Sequence, residues 1–295
     1  MSLLFAAFAL CRAVSAAAMA LLFGTAAMLA LAGSPRLALE AETALRHTLR
    51  GAAAIGLVAT LCLLPLQTVS IAGDWGALGN GDMLGTVALQ TRYGQAWMPR
   101  VLGAMLALAV VVAVPPGRPW VLAGVAALAL APLSFSGHAA MHEGGLGVAH
   151  ALNDYLHGLS AAFWLGSLPV FLLWLAAWRL PGRRAEATRA LLRFSTWGHV
   201  AVAMLLLTGI GNALLILGAG SVDPGSDYQR LLAVKIALAL VMTGLAVVNR
   251  YRWIPRIGTQ RADALQAIHR NTIVELVLGA AVLTAVGFLG LMSPL

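Results

Sequence analysis

Histidines are concentrated in one short stretch of this chain, which holds four of the seven between positions 138 and 157. A methionine and an aspartate lie among them. Imidazole binds copper in either oxidation state and thioether favours Cu(I), whereas hard cations would require several carboxylates. The stretch therefore predicts a copper site with these candidate ligands: His138, Met141, His142, His150, Asp154 and His157.

Spacing within this stretch adds a geometric prediction. Positions 150, 154 and 157 share one face of a helix, where Asp154 could accept a hydrogen bond and orient an imidazole. The glycines before them would let the loop fold over an ion. Two alternatives stay open: a zinc site, since imidazole also serves zinc, and ordinary polar residues at a wet helix end.

Further groups that could do chemistry are scattered through apolar segments. Side chains that could line a copper pathway are Cys62, Met204, His199 and His47. Polar groups at membrane depth are costly unless they are functional or paired, and the candidates are Arg12, Asn212, Lys235 and Glu275. The structural alternatives are an outward-snorkelling Lys235, a Glu275 paired with nearby arginines, and solvated histidines at helix ends.

The elements that must position these residues are transmembrane helices. The chain is 60% hydrophobic and 10% charged, with a mean hydropathy of +0.87, which excludes an ordinary soluble domain. Spanning a bilayer takes roughly 20 apolar residues. We predict an all-α, polytopic integral membrane protein of about eight transmembrane helices, at 4–32, 47–72, 96–114, 118–137, 150–178, 194–219, 229–250 and 271–292.

Basic residues are divided unequally between the two sides of this predicted bundle. The loops after the first, third, fifth and seventh helices hold 14 of the 19 lysines and arginines. Because cytoplasmic loops carry the excess of Lys and Arg, both termini are predicted to be periplasmic. The same loops account for the net charge of +8, so no nucleic-acid partner is expected.

A short internal similarity predicts duplication. Residues 91–94 and Arg100 match residues 226–229 and Lys235, because each segment has a cation seven positions after its tyrosine. We predict two parallel four-helix halves, 1–137 and 150–295, joined by a His/Met-rich periplasmic loop at 138–149. Chance matching over so few residues is the alternative.

Motifs for several enzyme classes do not stand out in the sequence. These are a phosphate-binding glycine-rich loop with Lys and Ser/Thr, a Cys-x-x-Cys pair and a nucleophile elbow. We therefore expect neither a built-in ATPase nor an enzyme. The two cysteines lie in apolar runs and are predicted to be free thiols.

Several segments together resemble the CopD copper-resistance family of bacterial inner membranes. In the region 194–250 the similarity is carried by Phe194-Ser195, Thr208-Gly209, Asn212, residues 227–232, Lys235 and Asn249-Arg250. Upstream it is carried by residues 91–94, Trp97, Arg100, Asp154, His157 and Trp164-Leu165-Gly166. One departure is Gln229, where the family usually has the glycine found at position 94.

The resemblance implies a function in copper transport, homeostasis and resistance. A member of this family would lie in the inner membrane, surrounded by lipid, and move copper from periplasm to cytoplasm. It often acts alongside a small periplasmic copper-binding protein of the CopC type. The oxidation state, Cu(I) or Cu(II), and homo-oligomerisation stay open.

Two other functions remain as alternatives at this point. Histidines on two helices could ligate haem b in a membrane electron carrier. A non-transporting assembly factor that donates copper to an oxidase would carry the same residues as a permease.

Overall fold

The computed structural model describes residues 3–135, 141–218, 223 and 225–294. His138 lies outside these residues. The described part contains α-helices, short 3-10 and π segments and no strand, which confirms the all-α prediction. The helices are α1 (Leu3–Ala30), α2 (Pro35–Ala72), α3 (Gly81–Gln90), α4 (Arg92–Ala113), α5 (Pro119–Leu130), α6 (Gly144–Trp178), α7 (Arg184–Leu217), α8 (Asp227–Val248) and α9 (Arg261–Leu289).

The polytopic membrane architecture is also confirmed. Seven of the described helices are long and apolar enough to cross a bilayer, namely all except α3 and α5. Large apolar side chains such as Leu207, Ile210 and Leu214 on α7 are more than 60% exposed, as a lipid-facing surface requires.

The predicted span 118–137 is shorter as an α-helix than expected. Helix α5 ends at Leu130 and continues as a 3-10 segment over Ala131–Phe135. Pro132 lies in that segment, and a proline removes an N–H donor and hinders continuation of an α-helix. Pro65 and Pro169, by contrast, lie inside the continuous helices α2 and α6.

Several helices begin earlier than the hydrophobic runs suggested, and the largest differences are at α2, α7 and α9. Ser34 caps α2 by accepting a hydrogen bond from the Leu37 N–H, and Pro35 suits the first helical turn. His47 is therefore an exposed residue within α2 rather than at its start. His269 likewise lies within α9, which begins at Arg261.

Loops predicted to share one side of the membrane do lie together. Arg183, between α6 and α7, forms an ion pair with Glu40 near the start of α2. The backbone N–H of Gly117, between α4 and α5, donates to Glu42 at 2.7 Å. We call this side the arginine-rich end, and the side carrying residues 141–150 the histidine end. Which end faces the cytoplasm stays a prediction.

The centre of the bundle is a close crossing of α1 and α6. Each helix carries a small-xxx-small pair, Ala20 with Gly24 on α1 and Ala162 with Gly166 on α6. A Cβ at either glycine would overlap the backbone of the other helix, including the carbonyl of its alanine. The Thr25 hydroxyl also donates to the Gly166 carbonyl at 2.8 Å. The two backbones can therefore approach only because these positions are small.

The two similar segments found in the sequence start helices in the same way. Thr91 caps α4 by accepting from the Gly94 N–H at 3.1 Å, and Ser226 caps α8 by accepting from the Gln229 N–H at 3.4 Å. A duplicated bundle requires such matched helix starts. The division at 137 and 150 stays a prediction.

Candidate metal centre

The histidine end brings two predicted ligands into direct contact. His142 and His150 approach with their Nδ1 atoms 3.0 Å apart, and their rings are inclined at 61°. His150 is fully buried, whereas His142 is half-buried. Helix α6 begins between them at Gly144, whose φ of +62° allows the chain to reverse. The turn packs so closely on Gly147 that a Cβ there would overlap the His142 carbonyl.

This separation suits two ligands of one metal ion. Metal–imidazole bonds are about 2.0 Å long, so two ligands at a right angle have nitrogens about 2.8 Å apart. Without a metal, one of the two Nδ1 atoms carries the proton that the other accepts. The second ring nitrogen of His150, Nε2, is buried and has no hydrogen-bond partner among the described residues. Met141 is 45% exposed beside the pair.

His157 lies deeper on α6 in an orientation suited to metal binding. Its Nδ1 is 3.2 Å from the Leu205 carbonyl and 3.2 Å from the Thr208 hydroxyl, both on α7. A carbonyl only accepts hydrogen bonds, so Nδ1 carries the proton and Nε2 keeps its lone pair. Metal-binding histidines are commonly fixed by such a hydrogen bond. Gly209 leaves room for the ring, since a Cβ there would lie 3.3 Å from its Cε1.

Asp154 is held by an amide network rather than by an imidazole. The Asn212 side chain donates to its Oδ1 at 3.0 Å, and Asn153 donates to Asn212 at 2.7 Å. Asn153 also donates to the Thr208 carbonyl at 2.9 Å. The expectation that Asp154 orients a histidine thus has no hydrogen bond to support it in the described part of the chain. The network fixes the carboxylate between α6 and α7 instead.

Lys235 of α8 faces this network from the side. It interacts electrostatically with both Asp154 and His157. Its charge partly offsets that of Asp154, so the α6–α7–α8 site contains one anion, one cation and one imidazole. A metal cation there would be attracted by Asp154 and repelled by Lys235.

Glu275 is the buried acid nearest the arginine-rich end, and it is 3% exposed. Asn249 donates to its carboxylate at 3.2 Å, and the Trp164 side chain interacts with it. Asn271 donates to Asn249 at 2.8 Å. Neutral donors therefore take the place of the arginines that the sequence suggested. Asn249 begins a π-helical turn, Asn249–Trp253, a geometry often found at functional sites.

The candidate pathway residues do not form one continuous group in the described structure. His199 is exposed near the arginine-rich end, with its Nδ1 2.6 Å from the Ser195 carbonyl. The Met204 carbonyl accepts from the Thr208 hydroxyl at 2.6 Å, which places Met204 one turn from the partner of His157. Cys62 is exposed on α2, and His47 is an exposed residue of the same helix.

Arg12 belongs to a different cluster. It interacts with Tyr93 and Arg100 of α4, and its guanidinium lies against Gly290 at the end of α9. Arg100 is buried. This position separates Arg12 from the histidines and assigns it to the first half of the bundle.

The predicted ligands thus lie at two depths and do not form one closed site. His142 and His150 lie at the histidine end, and His157 lies deeper on α6. No group of three or more His, Cys, Asp or Glu side chains within the described ranges lies close enough to hold one ion. The ligand set stays a prediction. Sequence reasoning missed Asn153 and Thr208, although Thr208 and Asn212, one turn apart on an apolar helix, already mark a polar face.

Comparisons with known proteins match most of the chain. Residues 2–148 match the family described as "Copper resistance protein D-like, N-terminal domain", and residues 188–289 match "Copper resistance protein D". The chain is 31% identical to the "Inner membrane protein YebZ" of Escherichia coli K12, over 82% of this chain and 83% of that protein.

Two further relatives have names that mention copper. The "Copper resistance protein D" of Pseudomonas syringae pv. tomato is 32% identical over 84% of both chains. The "Copper transport protein CutJ" of Bacillus subtilis 168 is 32% identical over 84% of this chain, which spans about half (46%) of that protein.

Proposed function

This chain belongs to the copper resistance protein D family, and from that premise we propose that it carries copper across the inner membrane from periplasm to cytoplasm. It is a multi-pass protein of that membrane. One observation carries the proposal: His157 keeps Nε2 available on the same face of α6 as His150 and Asp154. Copper handling is a property of the family, and the direction is our inference.

Copper enters this route at the histidine end. His142 and His150 form the first pair of ligands, with Met141 and His138 adjacent in the chain. The exposed Met141 gives a soluble donor, such as a periplasmic protein of the CopC type, a thioether to which copper can transfer. Ligand exchange between soft donors then needs no free ion in solution.

The next step follows the α6 face into the membrane. A helix rises 1.5 Å per residue, so position 154 lies about 6 Å and position 157 about 10 Å beyond position 150. Asp154 supplies negative charge where a cation first enters the apolar layer, and the Asn212 amide holds it there. An unpaired charge at membrane depth costs several kcal/mol, so this carboxylate lowers the barrier.

Beyond His157 the route continues towards the arginine-rich end. Met204 offers a thioether one turn further along α7, and the exposed His199 offers an imidazole at the exit. The positive-inside rule assigns this end to the cytoplasm. The protein acts here as a permease and not as an enzyme.

Reconstituted protein tests this function directly. Proteoliposomes should accumulate radioactive copper with the wild-type chain, and should fail to do so with His157→Ala or with His142→Ala/His150→Ala. His47→Ala is the matched control, because His47 is an exposed histidine of α2 and does not belong to the α6 face. Uptake that is equal in all variants would contradict the proposal.

A copper-donating factor would bind copper in detergent without accumulating it in vesicles, so the same assay separates that alternative. Haem ligation by His142 and His150 fits poorly. Two axial nitrogens on opposite sides of iron lie about 4 Å apart, at about 2.0 Å per bond, whereas this pair is 3.0 Å apart. A Soret band in the purified protein would nevertheless favour the electron carrier.

A further inference from the structure

A cleft opens between the end of α6 and the start of α9, at the arginine-rich end of the bundle. It has a volume of about 510 Å³ and is lined by Arg179, Arg261, Ala262, Leu265 and Gln266. Pockets that bind small molecules have volumes of roughly 300–1,000 Å³. The α6–α9 cleft is therefore large enough for a molecular headgroup and not only for a single inorganic ion.

The two helices build this cleft in the same way, because each places a leucine one turn deeper than an arginine. Leu175 precedes Arg179 by four residues on α6, and Leu265 follows Arg261 by four residues on α9. Residues four apart share one face of a helix. Both leucines are buried in one apolar cluster. The cleft thus has a cationic rim above an apolar base.

A tryptophan contacts one of these arginines and indicates the depth of the cleft. The guanidinium of Arg261 lies 4.9 Å from the centre of the Trp178 ring, and that of Arg184 lies 5.6 Å from it. Trp178 also packs against the apolar cluster, while its indole N–H donates to the Thr188 hydroxyl at 2.9 Å. Tryptophans with one apolar and one polar side are typical of the headgroup level of a bilayer.

The positive charge of the cleft is not neutralised by the described part of the chain. No carboxylate there lines the cleft, and neither Arg179 nor Arg261 forms an ion pair with a described residue. Asp263 is close to Arg261 in sequence, but residues two apart do not face each other on a helix. The forked donors of guanidinium groups match phosphate oxygens. The cleft is therefore complementary to a phosphate group attached to an apolar body.

We propose that the α6–α9 cleft binds the headgroup of an anionic phospholipid. Arg179 and Arg261 contact the phosphate, and the apolar part of the lipid lies over Leu265. The arginine-rich end is predicted to face the cytoplasm, where anionic lipids attract basic side chains next to the bilayer. This site is separate from the copper route and does not depend on it.

Lipid titration of the delipidated, detergent-purified full chain tests the site, with native mass spectrometry to count bound lipids. One phosphatidylglycerol should bind more tightly than phosphatidylcholine, which has the same phosphate but no net charge. Arg179→Gln and Arg261→Gln should each weaken this binding by about five-fold, which corresponds to about 1 kcal/mol for a basic residue near a membrane surface. Equal affinity for the two lipids would overturn the proposal.

A charge-matched pair of surface arginines is the control. Arg189 and Arg270 are exposed at the same end of the bundle and do not line the cleft. Arg189→Gln/Arg270→Gln has the same net charge as Arg179→Gln/Arg261→Gln, so non-specific attraction of anionic lipid falls equally in both. The control pair should keep the tightly bound lipid, and the cleft pair should lose it. Equal affinities in the two double variants would overturn the proposal.

A lysine pair separates loss of charge from loss of fold. Arg179→Lys/Arg261→Lys keeps both charges but not the forked donors, so its affinity should lie between those of the wild type and the glutamine pair. All variants should elute as the same monodisperse species. A lysine pair that binds as weakly as the glutamine pair would contradict recognition by charge.

Inorganic phosphate is the other source of the same anion, and competition distinguishes the two. Added inorganic phosphate, at constant ionic strength, should leave phosphatidylglycerol bound, because it lacks the apolar part that lies over Leu265. Displacement of the lipid by inorganic phosphate would show that the cleft binds a free anion. That result would overturn the lipid site.

Discussion

The polar site between α6, α7 and α8 has a counterpart between α1, α2 and α4. The two sites lie at the same distance in sequence from the glycines of the α1–α6 crossing. His157 is nine residues before Gly166, and Ser15 is nine residues before Gly24. Each contacts a threonine of the next helix. His157 meets Thr208 at 3.2 Å, and Ser15 meets Thr60 at 2.8 Å.

The two sites share geometry but differ in charge. Twelve residues before each crossing glycine lies Asp154 in one half and Arg12 in the other. Lys235 faces Asp154, and Arg100 faces Arg12. One site pairs an acid with a base next to an imidazole, whereas the other pairs two bases next to a serine. The framework is common to both halves, and only the second half places imidazole and carboxylate on it.

Replacing Asp154 by arginine, the residue at the matching position of the first site, should have the largest effect on copper affinity. Asp154→Arg copies Arg12 into the second site and reverses a charge that, about 6 Å from the ion at an effective dielectric of 20, contributes about 3 kcal/mol. We expect copper affinity to fall at least about 100-fold, which corresponds to about 2.7 kcal/mol. Isothermal titration with copper measures this change.

Asp154→Asn provides the milder control, because it keeps an oxygen that Asn212 can donate to. Its affinity should lie between those of the wild type and Asp154→Arg. Equal affinity in all three proteins would remove Asp154 from the copper route and weaken the contrast between the halves.

Replacing His157 by serine should have the next largest effect on copper affinity. His157→Ser copies Ser15, removes one ligand and lets the new hydroxyl bond to Thr208 as Ser15 bonds to Thr60. Copper affinity should fall by roughly 10- to 100-fold or more, while the thermal unfolding temperature stays nearly constant. Ser15→Ala is the control, and it should leave copper affinity unchanged. A drop in Ser15→Ala would mean that the first half also takes part in this copper site.

The α1–α6 crossing should be the most sensitive part of the shared framework. Gly166→Ala places a methyl group against the α1 backbone, and overpacking of this kind costs about 1–3 kcal/mol. Gly24→Ala should cost a similar amount, because the crossing is reciprocal. Thermal unfolding in detergent provides the measurement.

Gly158→Ala on the same helix is the control, since nothing lies within 4 Å of its added Cβ. That change should be neutral or stabilising by up to about 1 kcal/mol. If Gly166→Ala behaved like Gly158→Ala, the close crossing would not contribute to stability.

The helix caps should show the smallest effects and the closest match between halves. Thr91→Ala and Ser226→Ala each remove one capping hydrogen bond, which costs about 1 kcal/mol. Hydrogen exchange at the first turns of α4 and α8 should rise in both. An effect confined to one half would show that the two helix starts are not equivalent.

Sequence patterns predicted the helices better than their boundaries. Apolar runs identified every long helix, because the length and composition of a span are local properties. The start of α2 was misplaced by a dozen residues, since Ser34 and Pro35 begin the helix within a polar segment. Only the capping contact reveals that start.

For the site residues, likewise, the sequence predicted their arrangement within one helix but not their contacts with neighbouring helices. Spacing alone placed His150, Asp154 and His157 on one helical face, because 3.6 residues per turn is fixed by the backbone. The hydrogen bond expected between Asp154 and an imidazole is not seen among the described residues, where Asn212 of another helix donates to Asp154. Periodicity within one helix carries no information about the register of its neighbour.

By itself, therefore, the sequence determined a membrane-embedded helical chain, with its basic loops on one side and four of its seven histidines together on the other. Tertiary structure alone decided which side chains meet: His142 with His150, and Asp154 with Asn212. The physical reason is that composition and periodicity act within a helix. Contacts between helices depend instead on register and close approach, which small residues such as Gly24 and Gly166 permit.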